Sequence, residues 1–165
     1  MRIYLLRHGI AEDRAASGHD HDRALTEEGW RRLRKAARTW RALVPKPAQV
    51  WVSPLRRARE TAEVFCAALD APPARVEPSL TPESGCQTVA RLLEAEQIAG
   101  VDSIAVIGHE PHLGHLLGLL LTGQRHLPMP LKKGMLVAVE TPSIASLLAE
   151  LRFALSQRAA ADCRD

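Results

Sequence analysis

Cysteine is scarce in this 165-residue chain, which carries only Cys66, Cys86 and Cys163. An odd, scattered set offers neither the paired framework of a disulfide-built protein nor the spacing of a metal site. Long apolar runs are missing too. No stretch is long enough to span a bilayer, and the N-terminus lacks the pattern of a signal peptide. The expected compartment is therefore the cytoplasm, with reduced thiols and no membrane partner. A strong excess of one charge is also absent: the net charge is +3 with a sequence pI near 9.0. That balance does not establish a nucleic-acid partner and is compatible with an anionic substrate or partner. Neither an internal repeat nor a linker divides the chain. Residues 1–165 are expected to form one domain of ordinary composition, 46% hydrophobic and 25% charged.

What the chain does have is a theme repeated three times. Ile3-Tyr4-Leu5-Leu6 is a short apolar run that reads as a central strand, and Arg7-His8-Gly9 follows at once. Gly9 lets the backbone turn there, so Arg7 and His8 fall where strand becomes loop. Gln49-Val50-Trp51-Val52 reads as a second buried strand, running into Ser53-Pro54 as N-cap and first helical residue. Leu55, Ala58, Ala62, Phe65 and Leu69 line the core side of that helix. Arg57 lies off the stripe in its first turn, with Arg56 and Arg59 as surface charges. Ser103-Ile104-Ala105-Val106-Ile107 is the clearest strand, and it ends at Gly108-His109-Glu110-Pro111.

Between these lie the remaining elements. Thr26 is an N-cap for a helix with Glu27 and Glu28 in its first turn. Trp30, Leu33, Ala37, Trp40 and Val44 form its buried stripe, and Pro45-Lys46-Pro47 ends it. Arg31, Arg32, Arg34, Lys35, Arg38 and Arg41 cover the other faces, as a solvated surface or as a docking surface for an acidic partner. Arg75-Val76-Glu77 reads as a short edge strand. Val89, Leu92, Leu93 and Ile98 suggest a helix over 88–98, closed near Gly100. The segment from about Pro111 to Leu121 is apolar almost all round, so it reads as a buried helix ended by Gly123, with Leu127-Pro128-Met129-Pro130 as loop. Met135–Val139 reads as a last interior strand. Residues 146–155 fit either a helix or the return strand of a hairpin, and the tail from about Gln157 is expected to fray. The His19-Asp20-His21-Asp22 alternation reads as a solvated loop, because no third or fourth metal ligand follows nearby.

Strands alternating with helices predict a three-layer α/β/α sandwich around a mainly parallel sheet. Ligands of such sheets bind at the carboxyl edge of the strands. Arg7, His8, Arg57 and His109 come from three strand ends that can converge on one crevice there. Two guanidinium forks and two imidazoles suit a phosphoryl group, and a neutral His8 nitrogen can attack phosphorus and carry that group covalently.

The segments Leu6–Gly9, Asp22–Gly29, Ser53–Thr61 and Gly108–Pro111 together resemble the histidine phosphatase superfamily, the phosphoglycerate mutase-like fold. The small size and Leu80-Thr81-Pro82 resemble its SixA-type phosphohistidine phosphatase branch. The resemblance implies a phosphorylated nucleophile at His8, with Arg7, Arg57 and His109 binding the phosphoryl oxygens beside Gly9. It implies neither metal nor organic cofactor. Where larger branches carry an acidic proton donor, Pro82 stands in this chain and Glu83 follows one residue late, either as a general acid or as an ordinary loop carboxylate. Arg23 is placed at the pocket entrance or in a surface ion pair. His112 and His115 lack the spacing of a zinc motif. The expected partner is a phosphohistidine protein or a small phosphorylated metabolite. A broad phosphomonoesterase, and a phospho-ligand binding module without turnover, are the competing readings.

Overall fold

β1 (Arg2–Arg7) lies in the interior of a six-stranded sheet, because its apolar run needs a partner on each edge. The computed structural model describes residues 1–124 and 128–163 of the chain; Leu127 of the expected loop lies outside them. The other strands are β2 (Gln49–Val52), β3 (Arg75–Val76), β4 (Ser103–Gly108), β5 (Leu136–Glu140) and β6 (Glu150–Leu155), in the spatial order β3-β2-β4-β1-β5-β6. The first four positions of that order are parallel, and β5 and β6 complete the sheet antiparallel. Residues 150–155 are thus the return strand of a hairpin. Pairing with β5 resolves what periodicity alone left open.

Side chains alternate across the sheet. Tyr4 and Leu6 face the side covered by α1 (Glu27–Leu43) and α2 (Arg56–Leu69), where Trp40 and Phe65 are fully buried. Ile3 and Leu5 face α3 (Cys86–Ile98) and α4 (His112–Thr122) on the opposite side. The result is the expected three-layer sandwich. As predicted, Thr26 caps α1 by accepting from the Gly29 N–H at 3.0 Å. Gly123 ends α4 at a φ of 70°.

Three expectations need correction. Ser53 and Pro54 precede α2, which starts at Arg56. The Ser53 hydroxyl instead closes a turn by accepting from Leu55 N–H at 3.3 Å and is then drawn into the candidate site. Ile98 is exposed, because the helical repeat carries the buried face of α3 through Cys86, Val89, Ala90 and Leu93 and away from it. The tail does not fray from Gln157: residues Gln157–Asp162 form α5, capped by Ser156. Ala160 of α5 is buried against α1, and the Thr39 hydroxyl donates to the Ala160 carbonyl at 2.6 Å. Among the described residues no helix is long and apolar enough to cross a membrane.

Candidate active site

The register of the parallel strands brings the functional groups to one edge. Arg7 pairs with Gly108 across β1 and β4, and Val52 pairs with Ile107 across β2 and β4. The ladder continues one step further: His8 N–H donates to the Gly108 carbonyl and Ser53 N–H to the Ile107 carbonyl, each at 3.0 Å. His8, Ser53 and His109 therefore emerge side by side. The His8 and His109 ring centroids are 4.9 Å apart, and both rings are buried.

One ring nitrogen of His8 has its role fixed by its partner. Nδ1 lies 2.8 Å from the Gly9 carbonyl oxygen, which can only accept. Nδ1 therefore carries the proton in the neutral ring, and Nε2 holds the free lone pair. Burial is the main cause that pushes the His8 pKa down to about 4; the Gly9 bond opposes it, while the charges of Arg57, Arg7 and Lys133 add to it. Near neutral pH the ring is uncharged.

His109 is pushed down further, to about 2, first by burial and then by repulsion between its charged form and those of His8, Arg57, His112 and Arg7. Its Nε2 lies 2.7 Å from the Ser53 hydroxyl, which already accepts from Leu55 N–H. With the serine proton assigned toward Nε2, Nδ1 of His109 is the protonated nitrogen. That Nδ1 is buried without a hydrogen-bond partner, as are Nε of Arg7 and Nε of Arg57. Buried unpaired donors are costly, and the two arginine N–H groups, with Nδ1 of His109 in the tautomer assigned above, are free to donate to an anion.

Both arginines are held by their outer nitrogens. Arg7 donates from one terminal nitrogen to the Leu131 carbonyl at 2.6 Å, and the Leu131 N–H is held by the Glu110 carboxylate at 3.0 Å. Arg57, on the first turn of α2, donates to the Asp20 carbonyl at 2.8 Å and to the Asp20 carboxylate at 3.0 Å. Partial burial opposes the Asp20 charge, but bonds and charges from Arg57 and Arg23 hold its carboxyl below the usual range. Arg23 donates to the other Asp20 oxygen at 2.7 Å and to the Glu12 carbonyl at 2.6 Å. Arg23 is thus in an ion pair with the same Asp20 that holds Arg57.

Two further contacts brace the loop that carries His8. Thr61 of α2 accepts from Gly9 N–H at 3.1 Å and donates to the Arg57 carbonyl at 2.7 Å. Gly134 N–H reaches the Arg7 and His8 carbonyls, both at 3.1 Å, at a φ of 68° that favours glycine. Glu83 sits exposed on the loop before α3, and its charge is felt at Arg57. The sequence reading missed Asp20, Ser53, Thr61 and Lys133 as parts of this site. Ser53 and Thr61 lay inside a quoted motif, whereas nothing local ties Asp20 to Arg57 across 37 residues.

Arg7, His8, Arg57 and His109 thus converge at one end of the sheet, and comparison with known proteins places the fold in a family. The chain belongs to the histidine phosphatase superfamily (branch 1), whose pattern matches residues 3–84. It is 36% identical over 125 residues to the phosphohistidine phosphatase SixA of Escherichia coli, covering 75% of this chain and 76% of that one. An uncharacterised protein of Picosynechococcus is 33% identical over 141 residues, 86% of each chain. A solved structure of the protein histidine phosphatase SixA complexed with tungstate superposes with a TM-score of 0.86 at 30% identity, covering 96% of this chain and 98% of that one. The chain is accordingly SixA-like.

Proposed function

We propose that this chain is a phosphatase that removes a phosphoryl group from phosphohistidine on a protein, through a covalent phosphohistidine at His8. The observation that carries the reading is the Nδ1 bond of His8 to the Gly9 carbonyl, which leaves Nε2 unprotonated and the ring neutral at pH 7. In the first step the Nε2 lone pair forms a bond to phosphorus as the bond from phosphorus to the substrate nitrogen breaks. The substrate imidazole takes a proton from solvent on its distal ring nitrogen before transfer and so leaves neutral, while His8 keeps its Nδ1 proton and carries the phosphoryl group as an imidazolium. In the second step water attacks phosphorus, orthophosphate leaves, and the electron pair returns to Nε2. Arg7, Arg57 and Nδ1–H of His109 bind the equatorial oxygens, whose charge grows in the transition state. Gly9 holds the tautomer, and Arg23 borders the phosphoryl site through Asp20.

Imidazole leaves more readily than an alkoxide, so a phosphohistidine substrate places little demand on a protein acid. The exposed carboxylate of Glu83 is the group an ester substrate would require as proton donor. The test is phosphate release by wild type and His8→Ala on a phosphohistidine peptide, phosphoramidate, phosphoserine and a sugar phosphate. His8-dependent hydrolysis of the phosphorus–nitrogen compounds well above the esters is the expected result. Faster ester turnover, abolished by Glu83→Gln, assigns a broad phosphomonoesterase instead. Phosphate binding without turnover of any compound assigns a binding module.

A further inference from the structure

The phosphoryl site cannot by itself select a protein substrate, since a stable protein interface covers about 800 Å² on each partner. The surface beside it has the chemistry to do so. Glu27, Arg31, Arg34, Arg38 and Arg41 recur at three- and four-residue steps, so they form one ridge along α1, with Lys35 adjoining. A groove of about 680 Å³ follows this ridge, lined by Glu27, Trp30, Arg31, Arg34, Lys35 and Arg38. Its floor is the half-buried Trp30 ring, with the Arg34 guanidinium 5.3 Å from the ring centroid. Aromatic rings and arginines are the residues that carry protein interfaces.

The charges on this ridge are only partly satisfied within the chain. Arg31 and Arg32 share Glu28, and Lys35 reaches Asp162 of α5 at 3.8 Å. Among the described residues, Arg34, Arg38 and Arg41 have no carboxylate partner, and all three are exposed. The ridge also starts at the right place. Thr26 N–H donates to the Ile10 carbonyl at 3.0 Å, two residues beyond His8, so the first turn of α1 abuts the nucleophile loop. From there 17 residues of helix run about 25 Å along the flank of the molecule.

We propose that this ridge docks an acidic face of the phosphoprotein substrate, an inference that rests on the phosphohistidine reading above. A partner whose phosphohistidine enters the site can lay carboxylates along Arg31, Arg34 and Arg38 while an apolar side chain meets Trp30. Charge complementarity of this kind acts chiefly on encounter rate and is weakened by salt.

The test uses two helical peptides that differ only in surface charge, one rich in Glu and one neutral, each with a single histidine. They are offered unphosphorylated for binding and phosphorylated for turnover, with phosphoramidate as the small substrate. The expected result is that wild type binds and turns over the acidic peptide about tenfold better than the neutral one at low salt. That preference is lost in Arg34→Glu/Arg38→Glu, in the milder Arg34→Gln/Arg38→Gln, and at high salt, while phosphoramidate hydrolysis is unchanged. Equal handling of the two peptides, or variants that keep the preference, overturns the docking surface. Tighter capture of duplex DNA or anionic lipid vesicles than of the acidic peptide, lost in the same variants, also overturns it. The binding arm decides the matter even if no phosphorus–nitrogen bond is cleaved, an outcome that would sink the phosphohistidine reading alone.

Discussion

The Asp20 carboxylate lies 3.0 Å from one terminal nitrogen of Arg57, and its other oxygen lies 2.7 Å from Arg23. An anion already rests against the guanidinium that the proposed mechanism uses to bind the phosphoryl group. Asp20 thereby both aims Arg57 and tempers the positive potential of the site. In Asp20→Ala the potential rises, so product orthophosphate should inhibit more strongly, with its inhibition constant falling about threefold to fivefold for one half-screened charge. Product-inhibition kinetics measure this directly. Weaker inhibition would mean that ordering of Arg57 outweighs the charge.

The neutral ring of His8 sets the pH profile. With its pKa near 4, the proposed nucleophile stays unprotonated well into acid. Turnover of phosphoramidate should hold about level from pH 7 to 5 and decline only as pH falls through about 4. A histidine ring NMR titration should find the Nδ1–H form of His8 still present at pH 5. Protonation near 6.5 would show that solvent reaches the ring.

Stability should respond to acid in the opposite part of the range. His112, buried at the start of α4, is pushed down to about 4, first by burial and then by His115, with a backbone bond to Gly85 opposing. His8 and His109 are depressed as well. The unfolded chain takes up protons near pH 6.5 while the folded chain does not, so stability present above 6.5 is lost as pH falls toward 4. Each unit of separation is worth about 1.4 kcal/mol. His112→Leu, away from the reacting atoms, should shrink the drop in Tm between pH 6.5 and 4.5 by about 5 °C. An unchanged drop would mean that His112 titrates normally.

Gly29 is where α1 meets the nucleophile loop. A Cβ there would sit 2.1 Å from the Ile10 carbonyl oxygen, a backbone atom that cannot swing aside. Gly29→Ala should cost about 2 kcal/mol or more in urea unfolding, as overpacking does, and lower turnover by displacing Gly9 and His8. Full activity at reduced stability would show that the loop and the helix move independently.

Most of the site could be read from the chain because its chemistry is written at strand ends. An apolar run followed by Arg7-His8, or by Gly108-His109, declares both the element and the group it delivers. The capping of α1 by Thr26 is equally local. What could not be read depends on contacts between distant segments. Asp20 finds Arg57 across 37 residues, so its loop looked merely solvated. Ser53 carries the composition of an N-cap, but its hydroxyl lies against His109, 56 residues away. The tail looked frayed because its alanines carry no periodic signal; Ala160 is buried because α1 offers a surface for it. Ile98 misled in the reverse sense, as an apolar residue one position off the buried stripe.

The interior place of β1 bears on how the protein comes off the ribosome. His8 directly follows β1, yet that strand's neighbours are the later segments 103–108 on one edge and 136–140 on the other. Until most of the chain has emerged, the run Ile3–Leu6 has no strand to join and His8 has no imidazole beside it. A nascent or truncated chain ending before β4 therefore holds His8 but not the groups proposed to act with it. Competence waits until strands made well after β1 close on it.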